Sequence, residues 1–330
     1  MAAGLAAVLV ALWAGYWFAA DRLARTAVER ALAAPVAGHR VGCRDPVFGG
    51  FPLRIDLRCQ RLTYARDGEA VTAALGGLAA SAPLYRPGVV DAILGSPLQV
   101  NAPALGVALT ATWSHAAADL SAWLDGPRGG VVRFISLAVE DAADPPGLPV
   151  TGLRAATAEA GVTPTADGHR LTIAVAGLGL TRETGATLPD IDGEASVTAE
   201  GLGPLGMNPV ARLLDWLRAG ASVRIDHLRL AAAGAVVIAE GGLELSEEGL
   251  LSGSVLLRFN SVDAFAALLE AIRPGARERY ALALQGLNAV SLPVQTGEGM
   301  FRQTALTFTD GVVWLGIIPL PIDPIPPIRF

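Results

Sequence analysis

Alternating residues recur along most of this chain, and that period of two limits its fold more than any other feature. Leu53, Ile55, Leu57 and Cys59 alternate with Arg54, Asp56, Arg58 and Gln60. Successive side chains of a strand point to opposite faces, so this run predicts a half-buried strand. Similar runs predict strands over residues 105–113, 131–140, 171–177, 194–200, 223–230, 243–245, 251–259 and 303–309, with Gly, Pro, Asp and Asn between them. Two of them flank the short turn Ser246-Glu247-Glu248-Gly249, which is the grammar of an antiparallel meander. Helices are expected over 208–219, over 262–272 with Ser261 as cap, and over 276–284. Residues 89–94 and 116–124 are weaker helix candidates. Strands outnumber helices and do not alternate with them. The expected fold is therefore mainly β: an elongated, curved antiparallel sheet or groove with a few short helices, not a doubly wound α/β sheet.

Composition narrows the class. Apolar residues make up 52% and charged residues 17%, which excludes disorder. The net charge of −6 lacks the basic footprint that nucleic acid requires. Every one of the 25 basic residues is Arg, so P-loop and Schiff-base lysine chemistry are absent. A chain of 330 residues exceeds the usual size of one core. The body, 35–330, therefore has room for two lobes, 35–200 and 201–330.

The first twenty residues set the expected location. Ala2 to Ala20 carry no charge and no proline, and Trp13, Tyr16, Trp17 and Phe18 sit at the end of the run, where an interfacial aromatic belt belongs. This predicts a transmembrane anchor over 1–20 and a juxtamembrane helix over 21–34. A cleaved signal peptide is the alternative, but no basic residue precedes the run and Trp17 and Phe18 crowd any cleavage site. Arg22, Arg25 and Arg30 would by the positive-inside rule keep the body in the cytoplasm. The only cysteines, Cys43 and Cys59, argue the opposite. The turn-rich stretch between them can fold back on itself, so a disulfide and an oxidising compartment are expected. Two buried free thiols are the alternative. Weighing the two, we expect a single-pass inner-membrane protein with its body in the periplasm.

No catalytic or metal pattern emerges. Gly201-Leu202-Gly203-Pro204-Leu205-Gly206 has dinucleotide-loop spacing with Asp226 beyond it, but its neighbours read as antiparallel, so turn chemistry is the better account. Asp190-Ile191-Asp192-Gly193-Glu194 opens like a calcium loop, but the twelfth position is Gly201. His39, His115, His169 and His227 are scattered. No enzyme, cofactor or metal is expected. The tail over 312–330 is apolar and broken by prolines, and it is expected to pack over a sheet edge or core mouth.

The segments Phe48-Gly49-Gly50-Phe51-Pro52-Leu53-Arg54 to Cys59, and Leu84-Tyr85-Arg86-Pro87, resemble a bacterial family known as domain of unknown function 2125. Its pattern is an N-terminal hydrophobic helix, a Gly-Gly-aromatic-Pro-aromatic-Arg strand ending in Cys, then Tyr-Arg-Pro. Leu53 stands here in place of the second aromatic. The resemblance brings no activity and no site residues. The strand grammar around 242–255 also looks like the AsmA-like envelope proteins, whose curved β-groove implies lipid handling by analogy only. Many strands carry aliphatics on one face and small residues on the other. The expected function is binding or shuttling of lipid or another amphiphile in an apolar β-groove, with Leu171, Ile173, Val175, Val255, Leu257 and Phe259 as candidates. A non-catalytic scaffold or interaction module is the alternative, and an envelope hydrolase the third reading.

Overall fold

The structure, a computed structural model, describes residues 2–33, 39–66, 71–103, 107–123, 126–141, 150–182, 188–205, 209–272, 275–316, 318–320 and 325–328. Side chains are not described for 1–10 and a few further positions inside elements. The protein is mainly antiparallel β with few helices, and forms two compact units, Met1–Trp123 with Val132–Leu153, and Leu124–Val131 with Arg154–Phe330. The division thus falls earlier than position 200.

The first unit opens with α1 (Ala2–Ala33), one unbroken helix with no boundary at residue 20. Among the described residues, no helix is long and apolar enough to cross a membrane. The short strands β1 (His39–Arg44), β2 (Val47–Gly49), β3 (Arg54–Cys59) and β4 (Arg61–Arg66) gather on the long β5 (Val71–Pro83). β5 pairs with β4 through its first half and β3 through its second, while β1 adds to β4 and β2 to β3. The sheet continues through β6 (Val89–Ala102) to β7 (Val107–Thr112) and β8 (His115–Trp123). β7 in turn pairs with β9 (Gly126–Asp141). The core is Leu75, Ala111, Trp113 and Ala116, with Leu62, Leu98 and Phe134 packed against it. Residue 105, in the strand predicted over 105–113, lies outside the described residues.

Two helix expectations fail here. Residues 89–94 lie in β6 and 116–123 in β8, and these strands pair with each other, Ala92 opposite Ala118. Short apolar runs fit either period, and here β5 and its neighbours supply the backbone partners that decide for strand.

β10 (Val150–Thr165), which belongs to the second unit from Arg154 on, leads into β11 (Gly168–Arg182), β12 (Ile191–Glu200), β13 (Ser222–Ala232), β14 (Ala235–Leu245) and β15 (Leu251–Phe259). β11 to β15 form an antiparallel meander, interrupted by α2 (Pro209–Arg218) between β12 and β13. The β14–β15 turn closes with Gly249 N–H donating to Ser246 O at 2.9 Å. After β15 come α3 (Val262–Ile272), capped by Ser261, whose Oγ accepts from Ala264 N–H at 3.2 Å, then α4 (Ala276–Arg279) and α5 (Ala281–Val290). β16 (Leu292–Thr296), β17 (Gly299–Thr309), β18 (Val312–Leu315) and β19 (Ile318–Pro319) complete the unit, with β17 beside β15. The proline tail docks on two turns, Ile325 N–H donating to Gly311 O and Ile328 N–H to Gly249 O, each at 2.9 Å. At Gly249, φ is +81° and a Cβ would stand 2.2 Å from Ile328 O, so only glycine admits the tail there.

Candidate functional site

Register puts all the groove candidates on one face of the second unit's sheet. Directly opposed residues of antiparallel strands share a face. Leu171 opposes Val197, which opposes Ile225, then Gly241, then Val255. The next row runs Ile173, Ala195, Leu228, Ala239, Leu257, and the third Val175, Gly193, Leu230, Val237, Phe259. Gly193 leaves room for its neighbours to meet above it: a Cβ there would lie 3.0 Å from a Leu230 methyl and 3.4 Å from a Val175 methyl.

The two ends of these rows differ in what covers them. At the β14–β15 end, Phe259 is 1% exposed and packs with Leu287 and Leu315. Val237, Leu257 and Leu306 join from the sheet, and Val262, Phe265 and Val290 from α3 and α5. Val255 is also buried. Phe259 and the partly buried Leu257 therefore belong to a core that α3 and α5 cover, and Val255 is buried in the same strand. At the β11–β13 end, Ile173 is 56% exposed, and Leu171 and Leu230 are exposed as well. The apolar face is filled at one end and open at the other.

The opposite face is a lattice of charges. In β13 the register shifts so that Asp226 is an extra residue, and its carboxylate accepts from Thr198 Oγ at 2.6 Å and Arg224 Nε at 2.9 Å. Arg170 Nε stands 3.3 Å from the same carboxylate, and Arg224 also pairs with Glu200. The Thr198 hydroxyl, then Arg224, hold the Asp226 carboxyl below its usual range. Farther along, Arg229 pairs with Glu298 at 3.0 Å and Arg258 with Glu240 at 3.1 Å. Asp226 is thus committed to its own sheet, and cannot serve as the acid of a dinucleotide site.

The glycine loop confirms the turn reading. Residues 201–205 connect β12 to α2 between antiparallel neighbours, with Gly201 at φ +72°; Gly206 lies outside the described residues. Buried His169 on β11 ties the loop down, its Nδ1 3.1 Å from Leu202 O. The cleft beside it, about 650 Å³, has no serine or cysteine among its described lining residues. The acidic stretch 190–194 enters β12, and Asp192 Oδ1 accepts from Gly177 N–H at 2.8 Å. Among the described residues, no group of three His, Cys, Asp or Glu side chains could hold a metal.

In the first unit, Cys43 and Cys59 form a disulfide between β1 and β3, enclosing the β2–β3 hairpin. Sequence reasoning missed a cleft of about 700 Å³ in this unit, where Val41, Tyr64, Ala73, Val100 and Leu109 line up across β1, β4, β5, β6 and β7 near Leu32 of α1. Its walls come from four separate pairings, which no local pattern announces.

The family-motif segments also converge. Leu84 N–H donates to Leu53 O at 3.0 Å and Arg54 opposes Pro83, so the loop over 50–54 and the turn over 84–88 are neighbours. α1 docks on the first of them. Trp13 Nε1 donates to Pro52 O and Trp17 Nε1 to Arg54 O, each at 2.8 Å, and the Trp17 ring meets Phe51 edge-on at 5.1 Å. Trp17 is 5% exposed. Arg25, bound to Asp21, lies 4.6 Å over the Phe48 ring. The aromatic cluster expected to form a membrane belt is thus partly a protein contact.

The family described as "uncharacterized protein conserved in bacteria (DUF2125)" matches residues 17–326. No curated protein and no solved structure matches.

Proposed function

We propose that this chain, which belongs to the DUF2125 family of bacterial proteins, is a membrane-attached binder of lipid or a similar amphiphile. Acyl chains lie on the open part of the apolar face, across β11, β12 and β13. The observation that carries this reading is the row structure of that face: the same aliphatic rows that form a filled core beneath α3 and α5 run on, exposed, through Leu171, Ile173 and Leu230. Exposed contiguous apolar surface marks an interaction site. Each methylene removed from water there contributes about 0.8 kcal/mol. The arginines of the opposite face are paired with acids, so affinity comes from chains rather than headgroups.

The uncharged segment Ala2–Ala20 of α1 provides the membrane attachment in this reading. The disulfide supports an oxidising compartment, and so a body on the periplasmic side of the inner membrane. The activity is binding, without catalysis.

Native mass spectrometry of the full chain released from detergent micelles tests it. Wild type is expected to retain an amphiphile, and the Leu171→Asp, Ile173→Asp double variant to lose it with an unchanged circular dichroism spectrum. Lipid-free wild type, or retention unaffected by the double variant, would overturn the reading and leave the scaffold alternative.

A further inference from the structure

We propose that the loop over 50–54, together with Tyr85, is a wedge that seats in the headgroup–acyl boundary of a bilayer beside α1. The proposal rests on the membrane attachment of α1 and adds a second point of contact to it.

The length of the helix and its docking point conflict. Nineteen helical residues, Ala2 to Ala20, measure about 28 Å at about 1.5 Å each. Yet the helix meets the body as early as Trp13, through the bond to Pro52 O. Residues 2–12 precede that contact in the chain, about 16 Å of helix. If Ala2–Ala20 enters the membrane with the loop docked, the loop enters too. Trp17 and Trp13 lie three and seven residues before Ala20, which places the loop about 5–10 Å below the surface, the depth at which interfacial segments sit.

Four of the loop's five carbonyls, those of Gly50, Pro52, Leu53 and Arg54, are hydrogen-bonded within the protein. In lipid, backbone groups must be satisfied internally. Gly50 O accepts from Arg54 N–H at 3.1 Å and Leu53 O from Leu84 N–H at 3.0 Å. The Pro52 and Arg54 carbonyls accept from the two indoles, and Pro52 itself has no N–H. Gly50 makes the turn possible: φ is +104° and a Cβ would lie 2.5 Å from Arg54 O. Its side chains point outward. Phe51 is 57% exposed, Leu53 55% and Tyr85 66%, beside exposed Leu12, Tyr16 and Phe18. Large apolar groups are rarely left in water in such a cluster. Exposed Arg22 and Arg86 stand nearby in the chain, where long basic side chains can reach lipid phosphates, while Arg54 pairs with Asp56 at 3.3 Å.

The test uses the full chain in phosphatidylethanolamine–phosphatidylglycerol vesicles doped with phosphatidylcholine carrying a mid-chain diazirine. After photolysis, mapped adducts are expected on α1 and on the peptides containing Phe51, Leu53 and Tyr85. The loop adducts should be lost in the Phe51→Ser, Leu53→Ser variant while those on α1 persist. Adducts confined to α1 in wild type would overturn the wedge and leave the membrane attachment standing. Absence of adducts from α1 as well would overturn both.

Discussion

Replacing Phe259 by alanine is expected to destabilise the protein by about 3–5 kcal/mol, the range for a large aromatic removed from a filled core. Ile173→Ala, on the same face of the same sheet, is expected to cost less than about 1 kcal/mol, because much of its side chain already contacts water. Phe259 is 1% exposed and enclosed by Leu287, Leu315, Phe265 and Val290. A unit of this size loses roughly 2–4 °C of melting temperature per kcal/mol, so the first variant should melt about 10 °C lower and the second almost unchanged. Thermal unfolding followed by circular dichroism reads both. Equal losses would mean that the β11–β13 end is as filled as the other.

The disulfide supplies the second large effect. Cys43 and Cys59 are 16 apart in sequence, and a bridge closing a loop of that length contributes about 3 kcal/mol by restricting the unfolded chain. Among the described residues no strand ladder pairs β1 with β3, and Gln60 N–H, just past β3, donates to Arg44 O at 3.0 Å. β1 reaches the sheet through β4, and β3 through β5. The Cys43→Ser, Cys59→Ser variant should therefore lose about 3 kcal/mol in urea unfolding, with the loss concentrated in the first unit. Protein alkylated directly from cells without reductant should carry no label. Two labelled thiols would contradict both the bond in the cell and the oxidising compartment drawn from it.

Strands with strict alternation were legible from sequence: residues 251–259 are β15, and 194–200 fall within β12. The Ser261 cap was legible too, because capping is local. What was not legible depends on distant partners. Val255 and Ile173 alternate with their neighbours in the same way. Packing from distant parts of the chain, not the local pattern, leaves the first buried and the second exposed. Val255→Asp or Leu257→Asp would thus disrupt packing, and Leu171 and Ile173 are the positions that probe the open face. The aromatic run at Trp13–Phe18 has the sequence pattern of a membrane belt, and the loop that receives it lies more than thirty residues away. The cleft in the first unit is likewise a product of register, with residues from β1, β4, β5, β6 and β7 brought side by side.

The central claim is that acyl chains lie on the open part of the apolar face. Methyl NMR of the full chain titrated with nitroxide-labelled stearate tests it most directly. The account predicts that methyl signals of Leu171, Ile173, Val175 and Leu230 broaden first, while Leu75 and Leu98 in the first unit's core stay sharp. Broadening that begins at Val41, Val100 and Leu109 of the first unit's cleft, or no selective broadening at all, would contradict it.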